Sequence, residues 1–155
     1  MAKVLNVLFG TESGNSEKLA TSVELTAKEI AKEMKFEVVK KNLKDVKVAD
    51  LAAMEYAVVV ISTWGEGDPP GGAINFCNEL YKASLPKLSN FNYTVLAMGD
   101  KSYQDFCGCG RRVDESIAKL GGKQIMPRKD FDLDYDAGFE NWEIEMFSTI
   151  APLLK

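Results

Sequence analysis

Five short apolar runs alternate along the chain with stretches of helical periodicity, and this alternation constrains the fold more than any other feature. Apolar runs of this length are typical of buried strands, and parallel strands need helical crossovers between them. The crossovers are nearly always right-handed and cover both faces of the sheet. The sequence therefore predicts an α/β three-layer sandwich with a five-stranded parallel sheet, its strands over residues 4–9, 36–40, 56–62, 93–98 and 124–131.

The intervals between the predicted strands carry apolar residues at helical spacing. These faces predict helices over residues 19–34, 73–81, 113–120 and 139–150, with a short helix near 49–54. No repeat, low-complexity tract or linker interrupts the pattern. We therefore expect a single domain over residues 1–155.

The composition narrows the classes of function. The chain has no histidine, which excludes His-based triads and His-bearing metal sites. The net charge is −4 and no apolar run approaches the roughly 20 residues that cross a bilayer, so neither nucleic acid nor a membrane is an expected partner. Three cysteines without a secretory signal favour a reducing cytoplasm. Cys107 and Cys109 lie at a predicted helix start, where a thiol pKa can be lowered, but core packing is the preferred interpretation.

The loop after the first strand, Gly-Thr-Glu-Ser-Gly-Asn-Ser at residues 10–16, has the composition of a phosphate site. Its hydroxyl and amide side chains, together with unpaired N–H groups at a helix start, can surround a phosphate dianion. The loop lacks the lysine of a Walker-type triphosphate loop, which favours a small terminal phosphate. A simpler interpretation is also open, in which Thr11 or Ser13 only caps the helix.

Two further loops, at residues 62–70 and 99–107, follow the third and fourth strands. Parallel strands bring all three loops to one edge of the sheet, which is where such sheets bind ligands. Trp64 and Tyr103 are large aromatic residues in otherwise polar loops, and their rings could enclose a planar group. Alternatively, the two rings only cover the end of the sheet.

The motifs of these loops resemble those of the flavodoxin family in order and spacing, and the resemblance extends from the first strand to the last helix. They are Thr-x-Ser-Gly-Asn-Ser, Ser-Thr-Trp-Gly and Gly-Asp-x-Ser-Tyr-x-x-Phe-Cys. The second loop is most similar to the flavin mononucleotide (FMN) domain of diflavin reductases such as the sulfite reductase flavoprotein. The resemblance implies a flavodoxin-like sheet of order 2-1-3-4-5, and the last strand lacks the long insertion of long-chain flavodoxins.

The resemblance implies FMN as the cofactor, with its phosphate on residues 11–16 and with Trp64 and Tyr103 on the two faces of its isoalloxazine ring. The peptide at Gly65 is expected to turn its carbonyl toward the ring after one-electron reduction. The resemblance implies no catalytic residue and no metal ligand. The predicted cofactor-binding residues are Thr11, Glu12, Ser13, Gly14, Asn15, Ser16, Ser62, Thr63, Trp64, Gly65, Glu66, Gly67, Gly99, Asp100, Tyr103, Phe106 and Cys107.

We therefore expect a low-potential, single-electron carrier rather than an enzyme. A ferredoxin or flavodoxin NADP reductase would donate the electrons, since no dinucleotide-binding fingerprint follows any strand. The carboxylates of Glu66, Asp68, Asp100 and Asp105 lie in the predicted cofactor loops, where they are expected to oppose the anionic reduced flavin. The same acidic rim would attract basic surfaces of acceptor enzymes to a monomeric carrier.

Three other interpretations are open. An FMN-dependent NAD(P)H quinone reductase shares the fold, although such enzymes usually carry longer loops that build a dimeric site. A signalling receiver domain is disfavoured, because the first and third strands end in Phe9-Gly10 and Ser62-Thr63 rather than in acidic residues. The third alternative is a flavin-free interaction module, which only the cofactor content of the protein can exclude.

Overall fold

One parallel sheet lies in the middle of the computed structural model, which describes residues 2–155. Its strands are β1 (Val4–Gly10), β2 (Glu37–Asn42), β3 (Tyr56–Ser62), β4 (Asn92–Met98), β5 (Lys123–Gln124) and β6 (Lys129–Phe131). Every pairing between these strands is parallel. The order across the sheet is β2-β1-β3-β4-β5, with β6 also beside β4, which confirms the predicted fold class and strand order.

The last position in the sheet differs from the prediction. The prediction of one continuous strand over residues 124–131 is wrong, because two short strands, β5 and β6, pair separately with β4. Pro127 lies between them and has no N–H group to donate to a neighbouring strand. The Thr94 hydroxyl of β4 donates instead to the Met126 carbonyl at 2.9 Å, which holds the intervening residues against the sheet.

Helices occupy the intervals between the strands, as predicted. They are α1 (Asn15–Met34), α2 (Val48–Leu51), α3 (Ile74–Lys82), α4 (Gly108–Lys119) and α5 (Asp136–Ile150). The short helix predicted near residues 49–54 begins one residue earlier and ends at Leu51. Within residues 2–155, no helix is both long and apolar enough to cross a bilayer.

The sheet buries a separate apolar core on each face. On one face Leu19, Val23 and Trp142 of α1 and α5 belong to the core. On the other face Phe76 of α3 and Ile117 of α4 do so. Because alternate side chains of a strand point to opposite faces, strands covered on both sides must be apolar at nearly every position. This explains the continuous apolar runs of β3 and β4.

The register of the central strands aligns their carboxyl ends. Gly10 of β1 pairs with Ile61 of β3, and Ser62 of β3 pairs with Met98 of β4. The loops that follow β1, β3 and β4 therefore leave the sheet at the same edge, as predicted.

Candidate cofactor site

An open cleft of about 300 Å³ lies at this edge of the sheet, between the three predicted cofactor loops. Nine of the predicted site residues line it together: Ser13, Asn15, Ser62, Thr63, Trp64, Gly65, Gly99, Asp100 and Tyr103. The parallel topology brings these residues together, because each of their loops follows the carboxyl end of a neighbouring strand.

The first loop ends at the N-terminus of α1. Gly14 precedes the helix with a φ of 92°, a left-handed conformation that favours glycine. Its N–H donates to the Thr11 hydroxyl at 2.8 Å, so Thr11 closes a turn within the loop. No side chain caps the helix, and the alternative in which Thr11 or Ser13 caps α1 is therefore wrong.

Three consecutive backbone donors at the start of α1 are unpaired. The first helical hydrogen bond runs from the Lys18 N–H to the Gly14 carbonyl at 2.9 Å. The N–H groups of Asn15, Ser16 and Glu17 have no acceptor within the part of the chain that the structure describes. Free donors at the positive end of a helix dipole suit an anion. The loop therefore fits the phosphate group of FMN.

Trp64 and Tyr103 both line the cleft, with 43% and 45% of their surfaces exposed. The Trp64 loop is closed by reciprocal backbone hydrogen bonds between Trp64 and Asp68, at 2.8 and 2.7 Å. The Tyr103 N–H donates to the Asp100 carbonyl at 3.1 Å. Two large rings left half-exposed beside an open cleft fit the stacking of a planar ring system such as isoalloxazine.

Four residues that line the cleft were not among the predicted site residues: Met98, Asp132, Leu133 and Tyr135. The last three belong to the loop after β6, which also leaves the sheet at its carboxyl edge. In the sequence, the acidic residues after the last predicted strand are the signal that could have identified this loop as part of the site. Because all strands of the sheet are parallel, the loop after the fifth position reaches the same edge as the other three.

This fourth loop is tied to the predicted ones by polar contacts. The Tyr135 hydroxyl donates to Asn15 Oδ1 at 3.3 Å. The Lys101 N–H donates to Asp132 Oδ1 at 3.0 Å, and this hydrogen bond lowers the pKa of Asp132. The loop therefore forms a wall of the cleft.

Eight predicted site residues do not line the cleft: Thr11, Glu12, Gly14, Ser16, Glu66, Gly67, Phe106 and Cys107. Thr11, Gly14 and Ser16 form the helix start beside it. The Glu12 carboxylate accepts the Gly71 N–H at the turn before α3, which ties the first loop to the turn that follows the second. The cofactor-binding roles of all seventeen predicted residues, in the cleft or beside it, stay predictions.

The charge at the cleft differs from the sequence-based expectation at one position. Asp105 is paired with both Arg111 and Arg112 of α4, and the hydrogen bond from Arg111 is the main reason that the pKa of Asp105 is lowered. Asp105 therefore adds no net negative charge to the rim. By contrast, Glu66 and Asp100 form no salt bridge within residues 2–155.

The cysteines beside the site are packing residues. All three are buried and free. Burial raises the pKa of the Cys107 thiol to about 12, and a hydrogen bond with Cys77, together with burial, raises the pKa of Cys109. The start of α4 therefore does not lower the pKa of either thiol, and the core-packing interpretation is supported.

We expect Cys107 in the native protein to resist alkylation by iodoacetamide at about pH 8, because its thiol stays protonated and buried. In the urea-unfolded chain the same thiol should react readily, and peptide mass spectrometry distinguishes the two cases. The folded state also binds this proton more tightly than the unfolded state does. The resulting stabilisation is present below the ordinary thiol pKa of 9.0 and declines as the pH rises toward about 12. Equal labelling of Cys107 in both states would contradict this prediction.

Comparison with known proteins identifies the family. The Flavodoxin family model matches residues 7–142. The sulfite reductase [NADPH] flavoprotein alpha-component of Bacillus subtilis is 38% identical over 142 residues, which are 92% of this chain and 23% of that protein. The corresponding protein of Shewanella sp. strain MR-4 is 32% identical over 154 residues, 99% of this chain and 25% of that protein. The chain thus spans about a quarter of the length of these relatives.

Solved structures share the fold. A flavodoxin from Streptococcus pneumonia TIGR4 superimposes with a TM-score of 0.74 at 20% identity, covering 96% of this chain and 98% of that one. A short-chain flavodoxin associated with a non-canonical PDU bacterial microcompartment gives a TM-score of 0.75 at 22% identity, covering 97% and 98%. Together with the family match and the geometry of the cleft, these similarities show that the chain belongs to the flavodoxin family, whose members bind FMN and carry electrons.

Proposed function

We propose that this protein is a low-potential, single-electron carrier that receives electrons from an NADPH-dependent flavoprotein reductase and delivers them to acceptor enzymes. The observation that carries the proposal is the open cleft, which combines free helix-start donors with two half-exposed aromatic rings. The donor assignment is supported by the relatives, whose name, sulfite reductase [NADPH] flavoprotein alpha-component, contains NADPH.

Different residues of the cleft would bind different parts of FMN. The N–H groups of Asn15, Ser16 and Glu17 would hold the phosphate, and the rings of Trp64 and Tyr103 would flank the isoalloxazine. Bound FMN supplies the capacity to accept and release electrons one at a time. The aromatic rings would exclude water from the faces of the bound group, and the open side of the cleft would leave it accessible to a partner.

Two carboxylates of the Trp64 loop, beside the cleft, are proposed to guide basic partners. Glu66 and Asp68 are exposed, and neither forms a salt bridge within the described residues. Unpaired charges of one sign around a redox centre speed the encounter with an oppositely charged surface, and salt screens this effect. The acceptor would therefore present a basic patch to this rim.

Replacing Glu66 and Asp68 together by Gln and Asn should slow electron transfer to a basic haem protein about fivefold at low ionic strength. The difference from the wild-type protein should largely disappear at about 1 M salt, where the Debye length is about 3 Å. Stopped-flow oxidation of the reduced protein measures the rate. The matched control removes two charges elsewhere, by Glu33→Gln with Glu37→Gln. Glu33 is exposed near the far end of α1, about 27 Å along the helix from Asn15, and Glu37 is exposed at the first position of β2. An equal loss of rate in the control would contradict a local steering effect.

The carrier function is tested by its dependence on a reductase. The FMN-loaded protein is mixed anaerobically with NADPH, first alone and then with a catalytic amount of a ferredoxin NADP reductase. We expect the flavin absorbance to persist with NADPH alone and to bleach after the reductase is added. Rapid bleaching by NADPH alone, followed by turnover with a quinone, would contradict the carrier function and favour the quinone reductase alternative.

We also infer that residues 1–155 act as one monomeric domain in a reducing cytoplasm. Both apolar cores pack on the same sheet, which supports a single cooperative unit, and the three free thiols support the compartment. Light scattering should give the mass of one chain, and thermal unfolding should show one transition. A stable dimer would contradict the monomer.

A further inference from the structure

Arg112 of α4 contacts both of the loops that carry the aromatic rings of the cleft. Its Nη1 donates to the Gly67 carbonyl at 2.9 Å, and its Nη2 donates to the Asp105 carboxylate. Gly67 belongs to the loop of Trp64, and Asp105 belongs to the loop of Tyr103. One guanidinium group therefore bridges the two loops.

Two glycines provide the space that this bridge occupies. A Cβ atom at Gly67 would overlap the Asp105 carboxylate, and one at Gly108 would overlap the same group. Both glycines are buried, and the Asp105 side chain is only 19% exposed. The Asp105 carboxylate thus fits closely against these two glycines, while the Arg112 side chain that reaches it stays 41% exposed. A planar guanidinium also holds two acceptors in a fixed relative position.

The base and the tip of the Trp64 loop are held by different contacts. At the base, the Thr63 N–H donates to the Met98 carbonyl at 2.8 Å and the Cys109 N–H donates to the Thr63 hydroxyl at 3.0 Å. At the tip, residues 64–68, the bond from Arg112 is the one side-chain hydrogen bond to another element among the described residues. The position of the tip relative to Tyr103 therefore depends on Arg112.

We propose that Arg112 is a positioning residue, which together with Asp105 fixes the Trp64 loop against the Tyr103 loop and preorganises the cleft for FMN. If the two loops are already ordered in the free protein, less conformational entropy is lost when FMN binds, and the affinity is higher. The inference rests on the proposed function, in that the cleft is taken to bind FMN. Arg111 provides the contrast: it pairs with Asp105 at 2.7 Å but makes no hydrogen bond to the Trp64 loop.

The first test needs no cofactor. Amide hydrogen exchange is measured in the FMN-free protein for the backbone N–H groups of Trp64 and Asp68, which donate to each other's carbonyls. Arg112→Gln should speed their exchange about tenfold, which corresponds to about 1.4 kcal/mol. Arg111→Gln removes the same charge and the same kind of bond to Asp105, and it should leave these amides unchanged. Equal exchange in the two variants would overturn the inference.

The second test measures FMN affinity by quenching of flavin fluorescence. Arg112→Gln should weaken FMN binding about tenfold relative to Arg111→Gln, which again corresponds to about 1.4 kcal/mol. Arg112→Lys keeps the charge but lacks the fork that reaches both acceptors, so we expect it to restore little of the loss. Full recovery with lysine would overturn the positioning role in favour of charge alone. Failure of the wild-type protein to bind FMN would instead reject the proposed function, and the exchange result would still decide the role of Arg112.

Discussion

An aspartate in place of Asn15 is expected to weaken FMN binding about a hundredfold, or by about 3 kcal/mol. Asn15 lies at the first position of α1, lines the cleft and contributes one of the three free N–H groups. The substitution changes almost no volume but places a negative charge beside the proposed phosphate position. Repulsion between two unit charges about 4 Å apart amounts to about 4 kcal/mol at a protein surface, and the exposure of residue 15 reduces this value.

The same variant should retain its fold and its affinity for riboflavin, which has no phosphate. A carboxylate in the first turn of a helix interacts favourably with the helix dipole, so the free energy of unfolding should stay the same or rise slightly. Isothermal titration with FMN and with riboflavin separates the two effects. Asn78→Asp, on the exposed face of α3, is the control for an added charge. Equal loss of FMN and riboflavin affinity in Asn15→Asp would contradict a phosphate site at this helix start.

Replacing Gly110 by alanine is expected to lower the free energy of unfolding by about 2 kcal/mol. Gly110 lies in the first turn of α4, which packs against β4. A Cβ atom at Gly110 would overlap the Cβ atom of Ala97, a buried residue of β4 that has no flexible side chain to move away. Alanine has a better intrinsic helix propensity than glycine by about 1 kcal/mol, and the expected loss includes this partial compensation.

Denaturant unfolding of a double-mutant cycle identifies the cause of the loss. Ala97→Gly alone should destabilise the protein, because it removes a buried methyl group and places glycine within a strand. In the double variant, the methyl group added at position 110 would occupy the space left by the methyl group removed at position 97. We therefore expect the double variant to be more stable than the sum of the two single effects predicts. Additive losses would mean that the close approach of α4 to β4 is not what requires glycine.

The pattern of the chain was sufficient to predict the layers of the fold and the edge that carries the site. Continuous apolar runs such as that of β3 indicate strands buried on both faces, and parallel strands place their following loops together. The strand order itself came from the resemblance to flavodoxins and not from periodicity. The break at Pro127 was visible in the sequence, since proline cannot donate to a neighbouring strand, but the apolar residues around it favoured one continuous strand.

The parts of the site that escaped prediction depend on side-chain positions across the fold. Asp105 counts as an exposed acid in the sequence, whereas in the structure it accepts hydrogen bonds from two arginines of the helix that follows. Glu12 contacts Gly71, which is 59 residues away. Neither pairing has a periodic signature, because both depend on how a loop turns back onto a helix or turn. Packing and rotamers set these contacts, and a linear pattern does not contain them.

An anaerobic redox titration of the purified protein, with the released flavin identified by chromatography, tests directly whether the protein carries single electrons. We predict one FMN per chain and two separated one-electron steps in the visible spectrum, with the second at a potential below that of free FMN, because the unpaired carboxylates of the rim oppose the reduced anion. A protein that fails to retain FMN, or one that takes up both electrons in a single step, would not be a single-electron flavin carrier.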